Sequence, residues 1–391
     1  MEKVKLIKLI EKPISGEWGN DGNSTPVIRT TNFSNDGRLN LKEVVLRNID
    51  LKKVESKKLQ KGDIIIEKSG GSPTQPVGRV VYFELEGTYL CNNFTSILRP
   101  KRNLVYPKFL LYQLFTSHLF GFTNNFQNKT TGIINLKLER YINELEILLP
   151  PLPTQQKIAT ILDKADELRQ YYKQLIEKYD ALTQSLFLDM FGGLKDNIKS
   201  LAEVCDINPK KSEISSLDKD LKVSFLQMSN VSEKGELILN DNRSILNVWS
   251  GFTYFRENDV LFAKITPCME NGKGAIARLL TNGIGFGSTE FHVLRPITNL
   301  ANSEWIYYLT MNKKFRALAE KNMTGSAGQK RVPKDFFSNY KLPIPTITLQ
   351  NQFAERVAVI ELQKQQAQLE LTKSEALFQS LLQRAFKGEL V

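Results

Sequence analysis

The chain has 391 residues, 41% hydrophobic and 24% charged, a usage that excludes a disordered or collagen-like polymer and allows two or three compact domains. No run approaches the roughly 20 apolar residues of a membrane-spanning helix, and the start interleaves Lys3, Lys5, Lys8 and Glu11 with its apolar residues, unlike a signal peptide. Lys and Arg number 53 against 42 acidic residues; a net charge of +11 brings polyanions forward as partners without excluding an ordinary basic protein.

In chain order, residues 1–153 read as a first globular domain. Short β-type runs at 63–67 and 77–83 are punctuated by Gly, Pro, Asn and Ser, and a helical segment follows at 107–120. Pro151-Leu152-Pro153 closes the domain, and Thr154 reads as a cap of the following helix or as a residue near its start. Residues 154–193 hold a long helix, free of Pro and Gly from 155 to 191 and stopped by Gly192-Gly193. Its apolar positions Ile158, Ile161, Ala165, Leu168, Tyr172, Leu175, Tyr179, Leu182 and Leu186 alternate by three and four, the period of a helix wound on another helix.

Residues 194–348 repeat the same grammar: β-type runs at 259–265 and 291–294, a helical segment at 303–321, then Pro343-Ile344-Pro345 and Thr346. Residues 349–391 carry a second long helix, with Phe353, Val357, Ile360, Ala367, Leu371, Leu377 and Leu381 on its seam and Lys364 and Ser374 interrupting it. The repetition is residue by residue. Asp63 and Leu98-Arg99-Pro100 match Asp259 and Leu294-Arg295-Pro296 at an offset of 196; Asn32 and Gly37 match Asn230 and Gly235; Gln155 matches Gln350. The chain is one half written twice.

The expected fold is therefore of α/β (α+β) class. Two similar domains are joined by two long helices pairing as an antiparallel coiled coil, with a pseudo-two-fold internal repeat. A helix of this length spans about 55 Å, commensurate with duplex DNA, whose turn measures about 34–36 Å. Two unlike heads on such a spacer would read two unlike half-sites.

Base and phosphate contacts need polar and cationic side chains on exposed loops. The loop 67–75 offers Lys68, Ser69, Gly70, Ser72 and Gln75, and its counterpart 264–273 offers Lys264, Thr266, Asn271 and Lys273. A second pair of loops precedes the prolyl joints, with Lys129 and Thr131 in 128–132 and Ser326, Gln329, Lys330 and Arg331 in 324–331. Lys52-Lys53 and Lys57-Lys58 read equally as phosphate contacts or as solvated surface. Asp63 and Asp259, at turn–strand junctions, read as structural.

Catalytic signatures are missing from the sequence. Asn208-Pro209-Lys210-Lys211 lacks the second proline and the aromatic of an amino-methyltransferase loop, and Gly272-Lys273-Gly274 is no P-loop. Gly283, Gly285 and Gly287 are too closely spaced for a dinucleotide fingerprint. With His118 and His292 the only histidines, triads and histidine metal sites are poorly supplied; His292 and Cys268 read as structural. Cys91, Cys205 and Cys268 form no C-x-x-C pair, so no disulfide framework or zinc ribbon is expected, and a reducing cytoplasm fits. The expectation is no catalytic residue, no metal and no cofactor in this chain. An architectural DNA binder and an enzyme with an unrecognised acid cluster are the rival readings.

Nearly the whole chain resembles the specificity subunits of Type I restriction–modification systems. The resemblance rests on Leu148-Leu149-Pro150-Pro151-Leu152-Pro153-Thr154-Gln155-Gln156-Lys157-Ile158-Ala159 entering the central helix and Phe187-Leu188-Asp189-Met190-Phe191-Gly192 leaving it. Ala385-Phe386-Lys387-Gly388-Glu389-Leu390, Gly62-Asp63-Ile64-Ile65 and the run 264–273 add to it, while Gln350-Asn351-Gln352-Phe353 is a looser copy of the entry. The resemblance implies two target-recognition domains (1–153 and 194–348) and two conserved helices (154–193 and 349–391). It implies a non-catalytic scaffold that reads a bipartite, asymmetric double-stranded DNA target. The helices would set the half-site spacing and dock two modification (methyltransferase) subunits, with restriction and translocase subunits joining them. S-adenosylmethionine, ATP and magnesium would belong to those partners. The helix-pairing residues are then Ile158, Ile161, Leu168, Tyr172, Leu175, Tyr179, Leu182 and Leu186 against Val357, Ile360, Leu371, Leu377 and Leu381.

Overall fold

A computed structural model describes residues 2–128, 133–326 and 328–390. The chain divides into two compact units, Met1–Lys173 with Gln368–Val391, and Gln174–Ala367. Each unit contains one head, part of the central helix (Leu152–Phe191) and part of the distal helix (Ile347–Lys387). Among the described residues no helix is long and apolar enough to cross a membrane.

In the first unit, the run Ile64–Glu67 pairs antiparallel with Thr95–Leu98 on one side and Val80–Tyr82 on the other, with Ile14–Ser15 at the edge. Side chains alternate across a strand, so this sheet feeds two cores. Ile64 and Ile66 pack with Phe109 and Leu114 of the helix Pro107–Leu119, while Ile65 joins Phe83 and Ile97 on the other face. β-branched residues buried on both faces explain why the run reads as continuously apolar. A second sheet orders Val45–Asn48, Asn20–Ile28 and Leu90–Cys91, the last pair parallel.

The second unit repeats this plan. Val260–Ala263 lies between Phe291–Pro296 and Gly274–Ile276, with Cys205–Ile207 at the edge. Val260 and Phe262 pack with Trp305, Phe315 and Phe337, and Leu261 and Ala263 with Phe255 and Phe291. The companion sheet orders Asn242–Ser244, Lys222–Leu226, Ile284–Gly287 and Thr253–Arg256, again with one parallel pair. The helical segment predicted at 303–321 is two helices, Ser303–Met311 and Lys313–Lys321, each capped by an asparagine side chain.

The residues that revealed the duplication are the ones that brace each head. Asp63 accepts two hydrogen bonds from Arg99 at 2.8 Å and one from the Gln60 amide; Asp259 accepts two from Arg295 at 2.7 Å and one from the Arg256 amide. Both are structural, as the sequence suggested. Asn32 and Asn230 each clamp a tight hairpin, and Gly37 and Gly235 turn those hairpins at φ of 81° and 86°. A Cβ on Gly235 would lie 2.2 Å from the Tyr307 hydroxyl oxygen.

The start of each long helix is fixed by a buried glutamine. Gln155 accepts from the Tyr106 amide at 2.8 Å and donates to the carbonyls of Leu104 and Pro150. Gln350 accepts from the Asn302 amide at 3.0 Å and donates to Leu300 and Pro345. Thr346 caps the distal helix through the Leu349 amide. Thr154 does not cap: the central helix begins at Leu152, with Pro153 tolerated in the first turn, where no amide partner is needed.

The helices pair antiparallel in both units. In the first, the Arg169 guanidinium lies 4.1 Å from the Phe378 ring and Lys173 approaches Glu375. In the second, Phe187 and Phe191 pack on Phe353, and Lys364 pairs with Asp180. The seam is the predicted one in part, with Ala165, Phe353 and Ala367 buried in it as expected. Ile158 is buried and Tyr172, Leu175, Tyr179 and Leu186 are half-buried, but Ile161, Leu168 and Leu182 are 43%, 40% and 50% exposed. The inward positions one step on are Leu162, Arg169, Ile176, Thr183 and Phe187. In the distal helix Val357 and Leu371 are buried and Ile360 and Leu381 half-buried, whereas Leu377 is 49% exposed and Phe378 takes its place. Ser374, which looked like an interruption, is buried in the seam. The cause is polar residues whose groups are satisfied inside: Asp166 receives the Arg38 guanidinium from the head and Arg169 from its own helix, and Ser374 donates to the Glu370 carbonyl one turn back.

Candidate nucleic-acid interface

In the second head the two candidate loops, some 60 residues apart in sequence, come together, and in the first the 68–75 loop meets the strand that follows the second loop. In the second head Val332 donates its amide to the Lys264 carbonyl, Thr266 donates to the Lys330 carbonyl, and Ile265 bridges Arg331. In the first, Ser69–Gly71 pairs with Ile134–Leu136, and Ser69 Oγ donates to Asn135 Oδ1 at 2.5 Å. The 264–273 loop and the 324–331 loop thus form one surface, as do the 68–75 loop and the strand 134–136.

The matched lysines Lys68 and Lys264 sit at the base of these surfaces. Both are half-buried, and burial pulls both ammonium pKa values below the usual lysine range. Lys68 Nζ donates to Ser15 Oγ at 2.6 Å. Lys264 also feels Glu290, which favours its charge, and Arg331, which opposes it. Beside Lys264 a cleft of about 540 Å³ is lined by Lys210, Lys211, Phe252 and Tyr254, a cationic and aromatic pairing suited to nucleic acid.

The remaining predicted contacts divide. Gly70, Gln75, Asn271, Ser326, Gln329 and Lys330 are exposed on the loop surfaces. Others are engaged within the protein. Ser69 bonds Asn135, Ser72 pairs with Gln75 through the backbone, Thr266 bonds Glu270, and Lys273 Nζ donates to the Met228 carbonyl at 3.2 Å. Arg331 is held by Glu290. Lys129 and Thr131 lie outside the described residues. Lys53 and Lys57 both pair with Glu17, whose carboxyl is lowered chiefly by the Lys57 hydrogen bond, and Lys58 pairs with Glu55. These lysines therefore serve ion pairs on their own surface.

The residues flanking the matched lysines are where the heads part. Glu67 and Arg79 form an ion pair at 2.8 Å under the first loop, and alanines, Ala263 and Ala275, stand at the matched positions in the second head. Phe94 and Asn135 match Glu290 and Arg331. Sequence reasoning missed Phe94, Asn135 and Glu290, although extending the 196-residue offset along each loop would have exposed them as unlike residues in like places. His292 is structural: its ring nitrogens meet the Asn208 amide at 3.0 Å and the Val332 carbonyl at 2.8 Å, and burial lowers its pKa to about 4. Among the described residues no group of three or more His, Cys, Asp or Glu is placed to hold a metal ion.

Two copies of one mixed-sheet domain, each continued into a long helix and each presenting its own loop surface, define the class: a duplicated, helix-paired protein with two unlike heads. A family model described as Type I restriction modification DNA specificity domain matches residues 10–178 and again 196–375, and the chain belongs to that family. It is 32% identical over 295 residues to the Type I restriction enzyme EcoAI specificity subunit of Escherichia coli, a match covering 69% of this chain and 49% of that subunit. The chain thus spans about half the length of that relative. Its match to the StySPI specificity subunit of Salmonella potsdam is 22% identical over 392 residues, 93% of this chain and 82% of the relative. The crystal structure of the Type I S subunit from M. genitalium shares the fold at 15% identity and a TM-score of 0.55, over 98% of this chain and 96% of that one. A chain from a study of type I R-M complex assembly shares it at 16% identity and a TM-score of 0.56, over 100% and 98%.

Proposed function

We propose that this chain is the non-catalytic DNA-reading subunit of a Type I restriction–modification assembly, each head reading one half of a split, asymmetric duplex target. The observation that carries this reading is the pair of matched lysines, Lys68 and Lys264, set in the same backbone frame with unlike neighbours. A common cation suits the phosphate backbone, which is the same everywhere, and divergent neighbours suit bases that differ. Lys68, Gly70, Gln75, Lys264, Asn271, Ser326, Gln329 and Lys330 are among the proposed contact residues on the described surface, with Lys129 and Thr131 proposed from sequence.

The outward stripe of the central helix supports a docking role. Ile161, Leu168, Leu175 and Leu182 recur every seven residues and, except for half-buried Leu175, are at least 40% exposed. A partly exposed heptad stripe is the surface a partner helix would cover. We assign it to the methyltransferase subunits, with restriction and translocase subunits joining the assembly in the cytoplasm; S-adenosylmethionine, ATP and magnesium would belong to those partners.

Methylome sequencing of cells expressing the chain with its methyltransferase partner tests this function. A two-part methylated motif that vanishes when the chain is removed is the expected result. Methylation by the purified chain alone with S-adenosylmethionine would overturn the non-catalytic assignment.

A further inference from the structure

The two heads place different chemistry on one shared frame. The Lys68 amide donates to the Phe94 carbonyl and the Lys264 amide to the Glu290 carbonyl, both at 2.9 Å. One residue on, Ser69 faces Asn135 and Ile265 faces Arg331 across antiparallel bridges. Positions 94 and 290, and positions 135 and 331, are therefore counterparts in space as well as in sequence.

In the second head the Glu290 carboxylate accepts from Arg331 Nε at 2.9 Å and from Nη2 at 2.8 Å, and Arg331 Nη1 donates to the Gln329 carbonyl at 2.9 Å. A guanidinium has five N–H groups. These contacts engage three and leave one on each terminal nitrogen. The side chain is 41% exposed, on a loop with Gln329 and Lys330 at the surface. A planar fork already held by a carboxylate loses little side-chain freedom on binding, and two N–H groups on its terminal nitrogens match the O6 and N7 acceptors of guanine in the major groove.

The first head cannot present this fork. Phe94, 45% exposed and lying against Gly70, replaces the carboxylate, and Asn135, bonded to Ser69, replaces the arginine. We propose that Arg331 reads a guanine in the half-site of the second head, with Glu290 as its positioning residue, and that the first head has no such requirement at the matched position. This rests on the DNA-reading function proposed above.

The full chain and its variants Arg331→Lys, Arg331→Ala and Glu290→Gln are each used to select from a pool of randomised duplex DNA. The unaltered chain is expected to enrich a split motif with a guanine in one half. Both arginine variants should keep the motif but lose the preference at that one position, by about ten- to a hundredfold. Glu290→Gln should weaken the same preference and no other, the result a positioning residue gives. An unchanged motif in the arginine variants overturns the inference while leaving the DNA-reading function intact. Loss of the whole half-site in both makes Arg331 a staple between loops and also overturns it. A motif untouched by Glu290→Gln removes Glu290 from the proposal. If the unaltered chain enriches no motif, the DNA-reading function fails and this inference with it.

Discussion

Asp63 and Asp259 do the same work with different support. Arg99 has Asp63 and one carbonyl, of Lys58, as partners, whereas Arg295 pairs with both Asp259 and Glu213. Breaking a buried ion pair costs about 3–5 kcal/mol because the remaining charge is stranded. Asp63→Ala is therefore expected to destabilise the first unit by about that much, and Asp259→Ala to cost the second unit less, as separate denaturant transitions would report. His292 gives a pH dependence. Its folded pKa, about 4, lies below the unfolded value near 6.5, so the fold holds it neutral. Its contribution is complete above about pH 6.5 and lost as pH falls toward 4. The second unit should have a lower urea midpoint at pH 5 than at pH 7, and His292→Gln should flatten that difference. His118, also lowered to about 4 by burial, imposes the same sign on the first unit.

At the scale of the element, the central helix carries two unlike faces. The inner face is mixed: Leu162, Ile176 and Phe187 supply apolar burial, while Asp166 and Arg169 are admitted because Arg38 and the Phe378 ring satisfy them. The outer stripe is apolar, with Ile161, Leu168 and Leu182 at 43%, 40% and 50% exposure. Leu168→Glu and Leu182→Glu should leave the chain's unfolding within about 0.5 kcal/mol of the parent, yet abolish co-purification of the methyltransferase subunit. Leu162→Glu, at a buried position one residue from exposed Ile161, should destabilise the first unit by about 4 kcal/mol or more. Retained co-purification with Leu168→Glu and Leu182→Glu combined would count against the docking assignment.

For the molecule as a whole, the proposed function makes the half-site spacing a property of helix length, which a deletion tests. Removing one heptad from each helix shortens it by about 10 Å, close to three base pairs at about 3.4 Å each. The gap in the methylated motif should contract by a comparable amount while both half-sites persist; an unchanged gap would detach spacing from helix length. Affinity should also fall with salt, with a slope of about −0.9 per phosphate contact on logarithmic axes.

The duplication, the two long helices and the bracing residues were legible in the sequence. Asp63 with Asp259, and Gln155 with Gln350, answer only to the fold of their own domain, so both copies retain them at a fixed offset. The inner face of the helices was not legible. Hydrophobic period marks where apolar residues recur, and here Ile161, Leu168, Leu182 and Leu377 of that pattern point outward while Asp166, Arg169 and Ser374 turn in. Nor could the sequence pair the 264–273 loop with Arg331, because chain distance hides a contact made by neighbouring backbones. What a residue is bonded to depends on which segments the tertiary fold brings within hydrogen-bonding reach, and that alone distinguishes the Arg331 fork from a loose surface cation.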